Sequence, residues 1–267
     1  MQFDAAMTGG PATSSVGRIE LRGVGKHFGA FEALRPVEAT IEAGEFVSVV
    51  GPSGCGKSTL MLLTAGLLAP TEGEVVVDGR RLARPLTRVG IVFQDALLLD
   101  FRDALDNVLL QAQIRGMSVA DARGIAQGLF ARLGLEGAEH RYPVQLSGGM
   151  RQRVSLARAL IHDPPILLMD EPFGALDAIT RTQMRYDLEK LWMDRRKTVV
   201  FITHSVEEAV GLSDRIIVMS PSPGRVVEEI KVDLPRPRPV ELGTDRSFVE
   251  YADRVYAIFR AMGVLHA

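Results

Sequence analysis

The run Gly51-Pro52-Ser53-Gly54-Cys55-Gly56-Lys57-Ser58-Thr59 carries the residue types needed to hold a polyphosphate. Its glycines let the backbone curl so that successive N–H groups converge on phosphate oxygens. Lys57 is placed to reach the β- and γ-phosphates, and Ser58 to ligate Mg²⁺. A helix beginning at Lys57 adds favourable potential for an anion at its N-terminus. An ordinary glycine-rich turn has no use for the adjacent lysine and hydroxyl. Cys55 reads as a small filler inside the loop, not as a redox group.

Two further runs carry chemistry. Ile166-Leu167-Leu168-Met169-Asp170-Glu171 is an apolar strand ending in two acids. Burying its apolar residues places Asp170 and Glu171 at the carboxyl edge of a sheet, where ligands of α/β proteins bind. Asp170 is suited to hold Mg²⁺ through water, and Glu171 to polarise a water. Alone, such a pair is a solvated strand end; beside a phosphate cradle it is a hydrolytic one. Leu146-Ser147-Gly148-Gly149-Met150-Arg151-Gln152 places a hydroxyl and free N–H groups at a helix start, a second anion site.

The cradle needs a buried strand before it and a helix after it. Phe46–Val50 is a compact valine-rich run, read as a buried strand, and residues 57–68 read as a helix stopped near Ala69-Pro70. Residues 18–21 and 31–41 read as short strands, with breaks at Gly23, Gly25 and Gly29. Residues 75–77 run into Asp78-Gly79, a hairpin turn. Residues 89–93, 166–169, 198–202 and 216–219 read as buried strands. Residues 103–133 read as two or three helical pieces with a break at Gly116-Met117-Ser118; Ser118 and Asp121 have capping-box-like spacing. Helices are also expected over 150–161 and 177–194. Ser205 with Glu208 predicts a capping box for one more helix. Strands alternating with helices point to an α/β fold with a largely parallel sheet. The Pro/Arg alternation of 234–239 predicts an extended linker. Residues 247–262 have helical periodicity, with Phe248, Tyr251, Val255, Ile258 and Phe259 on one side. No internal repeat is visible.

Composition bounds the function. The chain has 267 residues, 46% hydrophobic and 24% charged, enough for a sizeable core. A net charge of −2 gives no reason to expect nucleic acid as a partner. The single cysteine excludes an intramolecular disulfide and a cysteine zinc cluster. No apolar run approaches the roughly 20 residues of a spanning helix, and no secretory signal is seen. Residues 1–17, rich in Gly, Ala, Ser and Thr, read as a flexible extension.

From about residue 18 to 238 the sequence resembles the ATP-binding cassette subunits of ABC transporters. The resemblance implies a P-loop NTPase cassette: a RecA-like core, an antiparallel β subdomain and a helical subdomain over about 95–160. The cassette would span 18–240, followed by a C-terminal tail helix within 241–267. Gly51, Ser53, Gly54, Cys55, Gly56, Lys57, Ser58 and Thr59 fall in its Walker A, and Asp170 in its Walker B. Glu171 matches the catalytic glutamate. Leu146–Met150 matches the signature loop, with Met at its last place where Gln is usual, so Ser147, Gly148 and Gly149 would contact ATP. Gln94 matches the Q-loop glutamine, near both the catalytic centre and Mg²⁺. Ala175-Leu176-Asp177 matches the D-loop, His204 the switch histidine, and Phe28 the aromatic that stacks on adenine. His27, His140, His162 and His266 fit no motif and read as surface residues.

In this family two cassettes face each other head to tail, with two ATP molecules between them. Ser147 and Gly149 of one copy would then meet the γ-phosphate held by Lys57 of the other. Within the family, the run from Leu146 to Arg153 with its Met150, the run from Asp170 to Asp177, and Pro223-Gly224-Arg225 followed by Val232-Asp233-Leu234-Pro235-Arg236-Pro237-Arg238 resemble the nitrate/sulfonate/taurine importer branch. Asp100-Phe101 departs from the Pro-Trp common there, and Ser205 from the usual Asp. The resemblance implies a peripheral ATPase on the cytoplasmic face of the bacterial inner membrane. Its partners would be transmembrane permease subunits, met in part by residues 97–101, and indirectly an extracytoplasmic substrate-binding protein. A DNA-maintenance ATPase would need long coiled coils between Ser58 and Asp170, and a translation ATPase two cassettes; an exporter cassette is often fused to its membrane domain.

Overall fold

The computed structural model describes residues 16–174, 176–239 and 245–265. The expected readings of residues 1–15, of Ala175 and of His266 lie outside them. The centre is a six-stranded sheet in the order β10(Val226–Lys231), β9(Arg215–Met219), β3(Phe46–Val50), β8(Thr198–Thr203), β7(Ile166–Asp170), β6(Val89–Val92). All neighbours in it are parallel except the β10–β9 pair. Strands β3, β7 and β8 are buried along their whole length, which is why they read as near-continuous apolar runs.

A second, antiparallel sheet has the order β2(Phe31–Ile41), β1(Ile19–Phe28), β4(Glu72–Val77), β5(Arg80–Arg81). It faces the central sheet across α1(Lys57–Thr64), and residues such as Leu21, Ile41, Leu60, Leu63, Val49 and Ile217 form one core between them. The glycine breaks expected in the first strand are corrected: Gly23 and Gly25 sit inside β1, where the register shifts mark bulges. Gly23 is left-handed at φ 59°, the conformation that lets the ladder absorb an extra residue and continue. Helix α1 also ends four residues early. Gly66 at φ 71° closes it, with the Leu67 N–H bonded back to the Leu62 carbonyl.

The helical side consists of α2(Ala104–Ile114), α3(Val119–Arg132) and α4(Gly148–Leu160). Asp103, Ser118 and Ser147 cap their N-termini. Apolar faces of these helices meet α5(Ala178–Asp194) and the other face of the central sheet in a second core. A third core joins α6(Val206–Leu212), β9, β10 and α7(Arg246–Ala261), where Phe248, Ala252, Val255 and Phe259 are buried. Tyr251 and Ile258, expected on that face, are only half-buried, because the true 3.6-residue stripe passes through Ala252 instead.

Strand β10 is not expected from the sequence: its exposed Val227, Glu229 and Lys231 alternate with the more buried Val226, Glu228 and Ile230, the mark of an edge strand with one wet face. The linker reading of 234–239 is also corrected. Its arginines are anchors: Arg236 bridges Glu189 at 2.9 Å and Asp214 at 2.9 Å, and Arg238 is 2% exposed. No helix among the described residues is long and apolar enough to cross a membrane.

Candidate nucleotide-binding and hydrolysis site

Strand order alone gathers the candidates on one edge. Strands β6, β7, β8 and β3 lie side by side and parallel, so whatever follows each of them emerges at the same carboxyl edge. After β6 comes Gln94, at the end of β7 Asp170 and Glu171, after β8 His204, and after β3 the loop 51–56.

The loop has the shape of a cradle. Gly54 and Gly56 adopt left-handed φ values of 75° and 95°. Gly51 has no room for a side chain: a Cβ there would lie 2.9 Å from the Cys55 Sγ. The Lys57 ammonium, only 6% exposed, donates to the Gly51 and Pro52 carbonyls at 2.9 and 3.0 Å, so it stands inside the curl. Ser58 and Thr59 follow in the first turn of α1, while Ser53 is exposed on the loop. Cys55 is buried, and burial pushes its thiol pKa up.

Asp170 closes β7 and is 8% exposed. Burial raises its pKa, the Ser58 hydroxyl opposes that, neighbouring Glu171 adds to it, and Lys57 opposes it. A buried carboxylate facing a hydroxyl is a hard-oxygen donor pair suited to a magnesium ion. No cluster of three His, Cys, Asp or Glu able to hold a metal exists among the described residues. A cation held by Asp170 and Ser58 would need phosphate oxygens and water to complete its shell, as Mg²⁺ does beside nucleotides.

Glu171 leaves the strand in a left-handed turn, φ 44°, a conformation that costs a non-glycine residue about 1 kcal/mol or more. Its N–H still bonds the Ile202 carbonyl of β8 at 2.9 Å. The turn swings its carboxylate to His204, whose Nδ1 lies 3.2 Å from Oε2. Glu171 is mostly buried, and His204 is about half exposed, so the pair has one face to the open side of the loop. A carboxylate oriented by an imidazole can take a proton from water, and the exposed imidazole edge can meet a developing phosphate charge.

Other expected residues lie further out. Gln94 is exposed on a loop held from beneath: Gln152 donates to the Phe93 carbonyl at 3.0 Å, and Arg158 to the Ala96 and Leu97 carbonyls at 2.7 Å each. Phe28 ends β1 half-exposed, with the Lys26 ammonium 5.2 Å from its ring centre. Ser147 caps α4, its hydroxyl accepting from the Met150 N–H at 3.2 Å; Gly148 and Gly149 therefore belong to the helix, which starts two residues before the expected 150. Asp177 is spent on capping α5, accepting from the Thr180 N–H at 3.0 Å. Leu97 and Phe101 are exposed, whereas Leu98 and Leu99 are half-buried.

His162 is corrected from a surface residue. It is partly buried, its Nε2 lies 3.2 Å from the Val89 carbonyl, and burial together with Arg115 lowers its pKa to about 4. The predicted capping box is half formed. The Ser205 hydroxyl accepts from the Glu208 N–H at 3.2 Å, but the Glu208 carboxylate accepts from the Thr203 hydroxyl at 2.5 Å instead of returning to Ser205.

Gln152, Arg158 and Gly224 were not expected to shape the site. Gly224 touches the back of the cradle: its N–H bonds the Ala33 carbonyl at 3.2 Å and its carbonyl accepts from the Arg35 N–H at 2.8 Å. A Cβ on it would stand 1.9 Å from the Cys55 carbonyl oxygen. The Pro-Gly-Arg spelling was the available signal, without a structural reason attached.

Known proteins fit this geometry. The family model described as ABC transporter matches residues 34–174. The taurine import ATP-binding protein TauB of Escherichia coli is 46% identical over 209 residues, 78% of this chain and 82% of that protein. The aliphatic sulfonates import ATP-binding protein SsuB of Bacillus cereus is 38% identical over 251 residues, 92% of this chain and 98% of that protein. Among solved structures, the dimeric bacterial ABC transporter cassette MJ0796 superposes with a TM-score of 0.73 at 37% identity, covering 81% of this chain and all of that one. A post-hydrolysis state of the same cassette, dimeric and bound to ADP and Pi, gives 0.72. A phosphate cradle, a carboxylate–imidazole pair on the same sheet edge and these likenesses lead to one conclusion: the chain belongs to the ABC transporter family and is an ATP-binding, ATP-hydrolysing cassette.

Proposed function

We propose that this cassette is the motor subunit of an importer for a small solute of the nitrate, sulfonate or taurine kind. Two copies would sandwich two ATP molecules and dock on a separate permease at the cytoplasmic face of the membrane, with an extracytoplasmic binding protein delivering the solute. The names of TauB and SsuB support the solute class, and the dimeric cassettes support the pairing. Exposed Leu97 and Phe101, beside the Gln94 loop, give the permease an apolar foothold.

The contact between Glu171 and His204 carries the hydrolytic part of the reading. Lys57 and the N–H groups of 51–59 bind the phosphates, and Phe28 stacks on the base. Ser58 and Asp170, with Gln94 beyond them, would hold Mg²⁺, which when bound offsets charge on the phosphate oxygens. Glu171 orients the attacking water and accepts its proton, and His204 holds Glu171 in place and stabilises the γ-phosphate. Ser147, Gly148, Gly149 and Asp177 complete the partner copy's site. The test is co-purification of the chain with its permease and binding protein, followed by a ligand screen on the latter. Tight binding of nitrate, taurine or an alkanesulfonate is expected; a binding protein that takes a sugar or a peptide would refute the solute class.

A further inference from the structure

Beyond the hydrolytic pair, one buried acid remains unexplained. Glu208 lies on α6, 6% exposed, and burial raises its pKa. One of its oxygens accepts from the Thr203 hydroxyl at 2.5 Å, and that hydroxyl in turn accepts from the Ser205 N–H at 3.0 Å. Glu208 thus fixes the residues on both sides of His204 through a single hydroxyl. Its other oxygen faces Arg181 of α5, with Nε 3.7 Å away. That is about 0.8 Å longer than a charge-assisted hydrogen bond, and the Arg181 Nε is buried without a hydrogen-bond partner.

Arg181 is also tied the other way. Its Nη2 donates to the Leu176 carbonyl at 3.0 Å. Leu176 and Thr180 in turn press on the signature loop: a Cβ on Gly149 would lie 2.9 Å from the Thr180 Cγ2 and 3.4 Å from the Leu176 Cδ2. The contacts therefore run from Gly149 through Leu176, Thr180, Arg181 and Glu208 to the flanks of His204. An apolar pair would hold α5 against α6 at no desolvation cost. A loose ion pair, with Glu208 and the Arg181 Nε buried and the rest of the Arg181 side chain partly exposed, has a different property: it can shorten when one side moves.

We propose that Glu208 is a positioning residue for His204, and that the Arg181–Glu208 pair carries the position of the signature loop to it. This rests on the roles given above to Glu171, His204 and the signature loop. In a head-to-tail pair, nucleotide on one copy's cradle seats the other copy's signature loop. The Arg181–Glu208 link then lets occupancy of one site set the hydrolytic histidine of the second. Spatial contiguity is not coupling, so the test is a thermodynamic cycle.

Steady-state ATP hydrolysis by the full chain is measured across ATP concentrations for wild type, Arg181→Met, Glu208→Gln and the double variant, with His204→Ala as control. Each single change is expected to lower kcat by roughly tenfold while KM for ATP stays within about twofold. The Hill coefficient should fall toward 1, and the double variant should be no slower than Glu208→Gln alone. Singles within about twofold of wild type, or losses that multiply in the double variant, overturn the proposal. Should Glu208→Gln melt below the assay temperature, Arg181→Met alone decides through its kcat and Hill coefficient. Full turnover in His204→Ala overturns the site reading and this inference together. Lost turnover there with unaltered Arg181→Met and Glu208→Gln removes only this inference.

Discussion

Gly224→Ala is expected to damage nucleotide binding although residue 224 lies over a hundred and sixty positions from the cradle in sequence. Gly224 is not left-handed, so the cost is one of space and not of dihedral strain. The added methyl would begin 1.9 Å from the Cys55 carbonyl oxygen and 3.1 Å from both the Cys55 carbonyl carbon and the Met219 Cε. The sulfur-bound methyl can rotate away; the backbone carbonyl cannot move alone. Ordinary contact requires the two to separate by about 1.5 Å. Residue 224 is itself pinned by its two backbone hydrogen bonds to Ala33 and Arg35, so the displacement falls on the loop 53–56. Overpacking of this kind costs about 2 kcal/mol, or roughly 4–8 °C in melting temperature for a chain of this size. Misplacing converging N–H groups by more than ~1 Å costs up to about a hundredfold in what they stabilise. The assay is titration with a fluorescent ATP analogue alongside calorimetric melting. Gly124→Ala, where nothing lies within 4 Å on a helix surface, serves as the control and should be neutral or slightly stabilising. Unchanged affinity and melting in Gly224→Ala would refute the reasoning.

Buried Cys55, with its thiol pKa raised, should react only slowly with a bulky thiol reagent at neutral pH, and ATP should slow it further; stopped-flow labelling as fast as that of free cysteine would contradict its placement. Arg238→Met should lower the melting temperature by an amount equivalent to about 2–4 kcal/mol, because the Val210 and Ser213 carbonyls lose donors at 2.6 and 2.8 Å; an unchanged melting curve would show that the 234–239 segment is a linker after all. His162 binds a proton less readily folded, at about 4, than unfolded, near 6.5. Its contribution is therefore present above about 6.5 and is lost as pH falls toward 4. Replacing His162 with Asn should flatten that part of the melting-temperature profile, and an unaltered slope would refute the assignment.

How far the sequence could be read depended on how local each cause was. The cradle was legible because a strand, a glycine turn and a helix that follow one another in sequence build it entirely. Asp170 and Glu171 were legible because an apolar run ending in acids, by itself a solvated strand end, acquires a hydrolytic use beside a phosphate cradle. The contact of Glu171 with His204 was not, since it depends on β7 lying beside β8 and on Glu171 turning left-handed. Gly224 and Arg238 escaped for the same reason. Each reads in the sequence only as part of a branch-typical run with no structural reason attached, and each acquires its role from residues far away in sequence. Glu208 is the instructive miss: the capping spacing was right, but a threonine hydroxyl two residues before the cap offered its carboxylate a better-placed donor.

The central claim is that Glu171 and His204, at the edge shared with the cradle, hydrolyse ATP held between two copies of the chain. Glu171→Gln keeps the shape and removes the proton acceptor. Analytical ultracentrifugation of that variant with Mg²⁺ and ATP, with phosphate release followed in parallel, tests it most directly. The account predicts a stable dimer that retains unhydrolysed ATP, with turnover lowered by roughly a hundredfold or more. A variant that stays monomeric with ATP, or that hydrolyses it at the wild-type rate, would contradict it.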